Sequence, residues 1–252
     1  TALPNLGASV SAGRRWSLGG GRALSMITAL NYSQSYQYYV RDFHRYFTWQ
    51  LEDVQRDRPI NPWFNYNDHT YEKENRVGLI TNWQLKLNAF NRIDFRNLVN
   101  QIGENTTIIR EGEEFQQYAG LPRRNYMMGY RGRTIYNGQM EGTHHLPASN
   151  TTLNWVLGVN YLGESEPDLR RFRTFKPANE DVYQLILPPS SNLFDAGRYF
   201  GSLKETGGHH ALNAEKRFGG SEERPFRVKA GYLTDYRQRT FSARYFSYLY
   251  PG

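Results

Sequence analysis

Two adjacent histidine pairs, His144-His145 and His209-His210, are the first residues to test for metal chemistry. Neighbouring residues of a strand point to opposite faces, so neither pair can chelate one ion alone. A site would need one member of each pair to meet across strands, and two unrelated polar pairs is the simpler reading. Glu164, Glu166 and Asp168, followed by Arg170, Arg171 and Arg173, have the residue types for general acid–base work. The same run reads more simply as Arg–carboxylate pairs where a strand leaves a sheet. Asp235, Arg237, Arg239 and Arg244 allow the same two readings. Gly19-Gly20-Gly21 lacks the Lys–Ser/Thr pair and following helix of a phosphate-binding loop, and reads as a hairpin turn. No G-x-S-x-G elbow occurs, and the absence of Cys removes thiolate nucleophiles, thiolate metal sites and disulfides. The expectation is a chain with no catalytic residues, no metal and no cofactor, and not an enzyme.

Binding chemistry is better represented. The segment Arg41–Glu74 holds Phe43, His44, Tyr46, Phe47, Trp49, Trp63, Phe64, Tyr66, His69 and Tyr71, with Asp53, Asp57 and Asp68 interleaved. Read as a long loop, it offers Trp49, Trp63, Phe64, Tyr66, His69 and Tyr71 to a carbohydrate, a peptide or a partner protein. The other reading is that these rings pack the loop down or form an aromatic girdle. Gly163–Gly197, with Tyr183 and Pro188-Pro189, is a second candidate partner surface.

The elements that position these residues are strands. No segment holds a helical apolar period beyond a turn or two, whereas period two recurs. Four hairpins are expected: Leu6–Gly13 with Ala23–Tyr39, Arg76–Asn88 with Asn91–Asn105, Arg124–His145 with Thr151–Leu162, and Arg198–Phe218 with Phe226–Tyr248. Short turns near Gly13–Arg22, Asn88–Arg92, Pro147–Asn150 and Gly219–Pro225 gather at one end. Long connections near 41–74, 107–123 and 163–197 gather at the other. Val77, Leu79, Thr81, Trp83, Leu85 and Leu87 make one face of the cleanest strand, opposed by Asn82, Gln84 and Lys86. Its eleven residues, Val77 to Leu87, match the length that crosses a hydrocarbon core when tilted, about 9–11 residues. Leu153, Trp155, Leu157 and Val159 repeat the pattern against Asn154 and Asn160. In Arg124–His145, Gly132, Gly138 and Gly142 fall among Tyr126, Met128, Tyr130 and Tyr136 and break that face.

Composition agrees. Of 252 residues only 38% are hydrophobic, mean hydropathy is −0.74, and no apolar run approaches the roughly 18 residues of a transmembrane helix. A transmembrane barrel tolerates this, since every second strand residue is polar. Aromatics reach 15%, led by 19 Tyr, which suits a membrane–water interface. The formal charge of +7 suits an anionic partner, but the arginines are spread along the strands with no basic block or recognition helix, so no nucleic-acid partner is expected. The fold expected is an all-β, antiparallel transmembrane β-barrel wall of about eight long strands in four hairpins, part of a larger barrel. A soluble all-β carbohydrate-binding module is the alternative. Its strands are usually about 5–6 residues long, and nothing in it gathers the short turns at one end.

Three stretches add a resemblance: Ala23–Tyr38 (ALSMITALNYSQSYQY), Asn154–Phe175 (NWVLGVNYLGESEPDLRRFRTF) and Phe226–Phe246 (FRVKAGYLTDYRQRTFSARYF). Glu166–Arg171 and Phe241–Phe246 are the most specific pieces. They resemble the barrel wall of TonB-dependent outer-membrane receptors of the Bacteroidetes type, a family of barrels with about 22 strands and a plugged lumen. The resemblance implies a central section of such a barrel without its plug domain, located in the outer membrane of a Gram-negative cell. It implies a receptor that binds and imports a large or scarce solute. A structural barrel subunit of an envelope or secretion assembly is a second possibility. Implied partners are outer-membrane lipid and lipopolysaccharide, a surface lipoprotein or other envelope subunits, and TonB through a further part of the parent chain. Leu79, Trp83, Leu85, Leu87, Leu153, Trp155, Leu157 and Val159 would then face lipid. Asn82, Gln84, Lys86, Asn154 and Asn160 would face the lumen.

Overall fold

The computed structural model describes residues 3–46, 62–115, 120–219 and 226–250. Ten strands follow one another along the chain: β1 (Leu6–Gly19), β2 (Arg22–Tyr46), β3 (Pro62–Lys86), β4 (Asn91–Glu114), β5 (Pro122–Leu146), β6 (Thr151–Phe172), β7 (Thr174–Phe175), β8 (Gln184–Leu185), β9 (Ala196–Phe218) and β10 (Phe226–Ser247). They form one antiparallel sheet in the order β1-β2-β3-β4-β5-β6-β9-β10. β1 and β10 are its two edges and do not pair, so the sheet is open. β7 keeps the register of β6 along β5, with Tyr126 opposite Phe172 and Arg123 opposite Phe175. β8 folds back on β7.

Eight long strands in four hairpins are therefore present. The short connections lie near the expected turns, except that β1 runs on through Arg14–Gly19, paired to β2, so the first turn is confined to Gly20-Gly21 rather than Gly13–Arg22. Gly19, Gly20 and Gly21 have φ of 76, 59 and 77°, a run that side chains resist. Asn88 closes the second turn by accepting from the Phe90 backbone N–H at 2.8 Å and from Asn91 Nδ2 at 2.9 Å. Pro147–Ser149 forms a 3-10 turn that ends on left-handed Asn150. The Gly219–Pro225 turn lies, apart from Gly219, outside the described residues. Leu87 sits in the second turn, one residue past the end of β3.

The long connections are a correction. Arg41–Tyr46 belongs to β2 and Pro62–Glu74 to β3, paired from Tyr39 opposite Thr70 to Tyr46 opposite Pro62. Thr107–Glu114 likewise extends β4, and Gly163–Phe172 extends β6. Continuous backbone pairing carries these strands past the point where apolar alternation fades. β2, β3 and β5 each reach 25 residues, roughly 80 Å at the usual strand rise.

Register decides which side chains share a face. One row runs Trp16, Leu24, Leu85, Ile93, Gly142, Trp155, Leu212 and Tyr232, each directly opposite the next across all eight long strands. The row through Val10, Leu30, Leu79, Val99, Tyr136 and Tyr161 bounds the same band about six residues further along. Between them lie Met26, Trp83, Phe95, Met140, Leu157 and Val159. The opposite face carries Asn82, Gln84, Lys86, Asn154 and Asn160, with Arg96 held to Glu141 at 3.1 Å and Gln84 donating to Asp94 at 2.8 Å. The apolar band occupies the half of the sheet nearer the short turns, and the polar half projects beyond it.

The glycines of β5 do not break the apolar face. The Tyr136 ring lies along its strand over Gly138, and Trp155 covers Gly142 from the neighbouring strand. Tyr161 covers Gly163 in the same way. A Tyr-x-Gly pair puts both residues on one face, and the ring fills the surface the glycine leaves empty.

No second layer covers the sheet among the described residues. Among the described residues the buried hydrophobic side chains are Ala23, Tyr66, Ala196 and Ala211. The accessible surface is 17129 Å², against about 11,500 Å² for a compact monomer of 29.4 kDa. Leu157 (52% exposed) and Val159 (54%) stand on the apolar band without a covering element.

Gly142→Val tests the covering role of Trp155. An added Cβ would sit 2.1 Å from Trp155 Nε1, displacing a ring whose N–H donates to His144 Nε2 at 3.0 Å. The expected outcome is a shifted Trp emission maximum and about 1–3 kcal/mol lost in urea unfolding. Gly7→Ala, where an added Cβ meets nothing within 4 Å, should change neither.

Candidate functional site

Polar chemistry concentrates at the end of the sheet away from the short turns, on the polar face. Its centre is Glu114, the last residue of β4. Glu114 Oε2 accepts from Arg173 Nη2 at 2.7 Å, from Arg123 Nη2 at 3.2 Å and from Tyr66 Oη at 3.2 Å. Arg123 is 1% exposed. A buried charge of this kind persists only when paired. Burial raises the Tyr66 hydroxyl pKa above its ordinary value, and the Glu114 carboxylate pushes it the same way. β3 and β4 approach closely here because Gly112, opposite Tyr66, has φ of 146° and would bring a Cβ to 2.0 Å from the Asn65 carbonyl oxygen.

The connection from β6 to β9 closes over this cluster. Arg173 Nη1 donates to Asp195 Oδ1 at 2.8 Å, and its backbone N–H donates to the Asp195 carbonyl at 2.7 Å. Asn192 Nδ2 donates to Asp195 Oδ2 at 2.8 Å, and Ser247 Oγ donates to the Asn192 carbonyl at 3.0 Å, tying the connection to β10. Beside it opens a cleft of about 470 Å³. Arg41, Arg110, Arg171 and Arg173 line it, with Asp68 and Phe194. Arg110 is neutralised by a bidentate pair with Asp68, at 2.6 and 2.8 Å. Arg41 and Arg171 have no ion pair among the described residues. They lie instead over the rings of Tyr39 at 5.8 Å and Phe194 at 5.0 Å.

Arg171 reaches the cleft because β6 carries an extra residue. Glu166 pairs Gly201 but Leu169 pairs Tyr199, so three steps on β6 answer two on β9. Pro167 has no N–H to give the ladder, which makes it a natural place for the bulge. Past it the parity of β6 inverts. Glu164 and Glu166 hold Arg133 and Arg131 on the polar face, at 2.7 and 2.9 Å. Asp168 points the other way and accepts from Arg198, at 2.9 and 2.8 Å, and from Arg170 Nε at 2.7 Å. The carboxylates expected to crowd together are thus split between two faces.

The aromatic candidates are divided too, a correction to their reading as one loop. Trp49 lies outside the described residues. Trp63 lies under Arg45 at 4.1 Å. Phe64 stacks on Tyr66 at 5.2 Å and faces the cluster. His69 and Tyr71 sit on the opposite face, packed with Tyr38 at 6.2 and 5.0 Å. Alternation along β3 separates them. The histidine pairs are split likewise: His144 Nδ1 meets Asn91, whereas His145 Nδ1 meets Thr152 on the other face. Among the described residues no group of three or more His, Asp or Glu side chains is arranged to hold a metal. Arg41 and Arg110 carry no local sequence signal; the pairing of Asp68 with Arg41 across β2 and β3 and with Arg110 across β3 and β4 brings them together.

No family model, curated protein or solved structure matches this chain.

Glu114→Ala leaves Arg123 and Arg173 without a shared acceptor and should cost about 3–5 kcal/mol in unfolding free energy. Glu205→Ala, at a pair with exposed Arg239, should cost about 1 kcal/mol or less. Asp168 gives a pH test. Hydrogen bonds from Arg198 and Arg170 hold its pKa down to about 2. A depressed carboxylate contributes at neutral pH and loses that contribution only as pH falls through its folded value. Carboxyl titration by NMR should therefore find Asp168 still ionised at about pH 3, below the ordinary Asp pKa.

Proposed function

We propose that this sheet is part of the wall of an outer-membrane β-barrel of the TonB-dependent receptor kind, one that binds and imports a large or scarce solute. The observation that carries the reading is the apolar band. It runs across β1 to β6 on one face, one of its rows continues to β10, no layer covers it among the described residues, and the opposite face carries ion pairs. On β3 the apolar-facing set from Val77 to Leu85, and on β6 that from Leu153 to Tyr161, each span nine residues, in line with the about 9–11 tilted residues that cross a hydrocarbon core. Trp16, Trp155 and Tyr232 near the short turns, and Tyr136 and Tyr161 at the other margin, suit the two interfaces. Leu79, Trp83, Leu85, Leu153, Trp155, Leu157 and Val159 then face lipid, and Asn82, Gln84, Lys86, Asn154 and Asn160 the lumen. The strand halves beyond the band leave the hydrocarbon, pass lipopolysaccharide headgroups, and project to where a surface lipoprotein or another envelope subunit is reached. The open edges of β1 and β10 are met by further strands of the parent protein, and TonB by a further part of it.

Val159→Arg places a guanidinium mid-band and costs about 2–4 kcal/mol in a bilayer. It should abolish recovery of folded protein from outer membranes, while Asn82→Leu should leave recovery unchanged. Equal tolerance of both, or a monodisperse chain in detergent-free buffer, overturns the membrane reading. Restored outer-membrane assembly without solute uptake would indicate a structural subunit instead.

A further inference from the structure

We infer that the cleft between β2, β4 and the β6–β9 connection binds an oxyanion, a phosphate or carboxylate, carried on a ring-bearing solute. Four guanidinium groups converge there, and they are not equivalent. Arg110 and Arg173 are already paired with Asp68, and with Glu114 and Asp195. They form the fixed wall. Arg41 and Arg171 are the ones with donors to spare. Both are held over aromatic rings, which orients a guanidinium without consuming its N–H groups. Arginine presents two parallel donors that match the two oxygens of a carboxylate or phosphate. Phe194, which is 61% exposed, supplies apolar surface beside these donors, so a ring attached to the anion has somewhere to lie.

The geometry is built rather than incidental. Arg171 faces the cleft only because the bulge at Pro167 inverts β6, and Phe194 is set in place by Asn192 Oδ1, which accepts from its backbone N–H at 2.8 Å. A neutral ligand leaves Arg41 and Arg171 without a counter-charge, and a cation is repelled by them. The inference names a solute class for the receptor reading and rests on it only for access from outside the cell. Binding in detergent solution tests the cleft whether or not the sheet spans a membrane.

The experiment is calorimetric titration of the detergent-solubilised protein with phenyl phosphate, inorganic phosphate and phenol. Phenyl phosphate should bind most tightly, inorganic phosphate more weakly and phenol not measurably, and raised salt should weaken the first two. Arg41→Gln with Arg171→Gln should weaken phenyl phosphate about 100-fold and leave the strand circular dichroism unchanged. Arg171→Lys should recover part of the loss. Benzoate in place of phenyl phosphate separates a carboxylate preference from a phosphate preference. Phenol binding as tightly as phenyl phosphate, or a double variant of unchanged affinity, overturns the inference. The comparison among wild-type ligands decides the matter even if the double variant fails to fold.

Discussion

Seven antiparallel ladders stay in phase from β1 to β10, and the chemistry of each face depends on that phase. A strand has period two, so one residue of slip in any ladder would move its whole apolar set to the polar side. Along most of their length the ladders permit no slip. Trp83 stays opposite Met26 and Phe95, and Leu157 stays opposite Met140 and His210. Because the described residues form no second layer, this phase takes over the job a core performs in a globular domain. It sorts apolar from charged groups, and leaves each face to a different environment.

The polar face is stabilised by pairing rather than by burial of carbon. Arg131 with Glu166, Arg96 with Glu141 and Arg133 with Glu164 sit at part-exposed positions where each pair contributes little. At the projecting end the balance changes. Tyr66, Glu114, Arg123 and Asp195 are nearly closed off from solvent, and there each ion requires the others. The same interaction type is thus incidental along the wall and structural at its rim. The rim is also where the β6–β9 connection is pinned and the cleft is framed.

Much of the sheet was legible because the signals were local. Gly19–Gly21, Asn88–Arg92 and Pro147–Asn150 announce turns through backbone requirements that few residues meet. Leu79, Trp83, Leu85 and their counterparts on β6 announce a one-sided strand by hydropathy contrast. Past the band the contrast disappears. Arg41–Tyr46 and Pro62–Glu74 carry aromatic and charged residues on both faces, so they read as a loop, although their backbone pairing continues in register as far as Arg45 opposite Phe64. Tyr136-x-Gly138 and Tyr161-x-Gly163 were readable in principle, since spacing alone places ring and glycine together. The cleft was not. Asp68 and Arg110 are 42 residues apart, and Arg171 joins them only through the parity change at Pro167.

That parity change makes β6 a strand with two reading frames. Below Pro167 an odd position belongs to the apolar side; above it, to the polar side. Any comparison of this strand with another must therefore keep the extra residue, or everything beyond it will be assigned to the wrong surface. It also divides the strand into separately adjustable parts. Drift in the sequence above the bulge alters what the rim presents, while the frame below it, and with it the apolar surface, stays untouched.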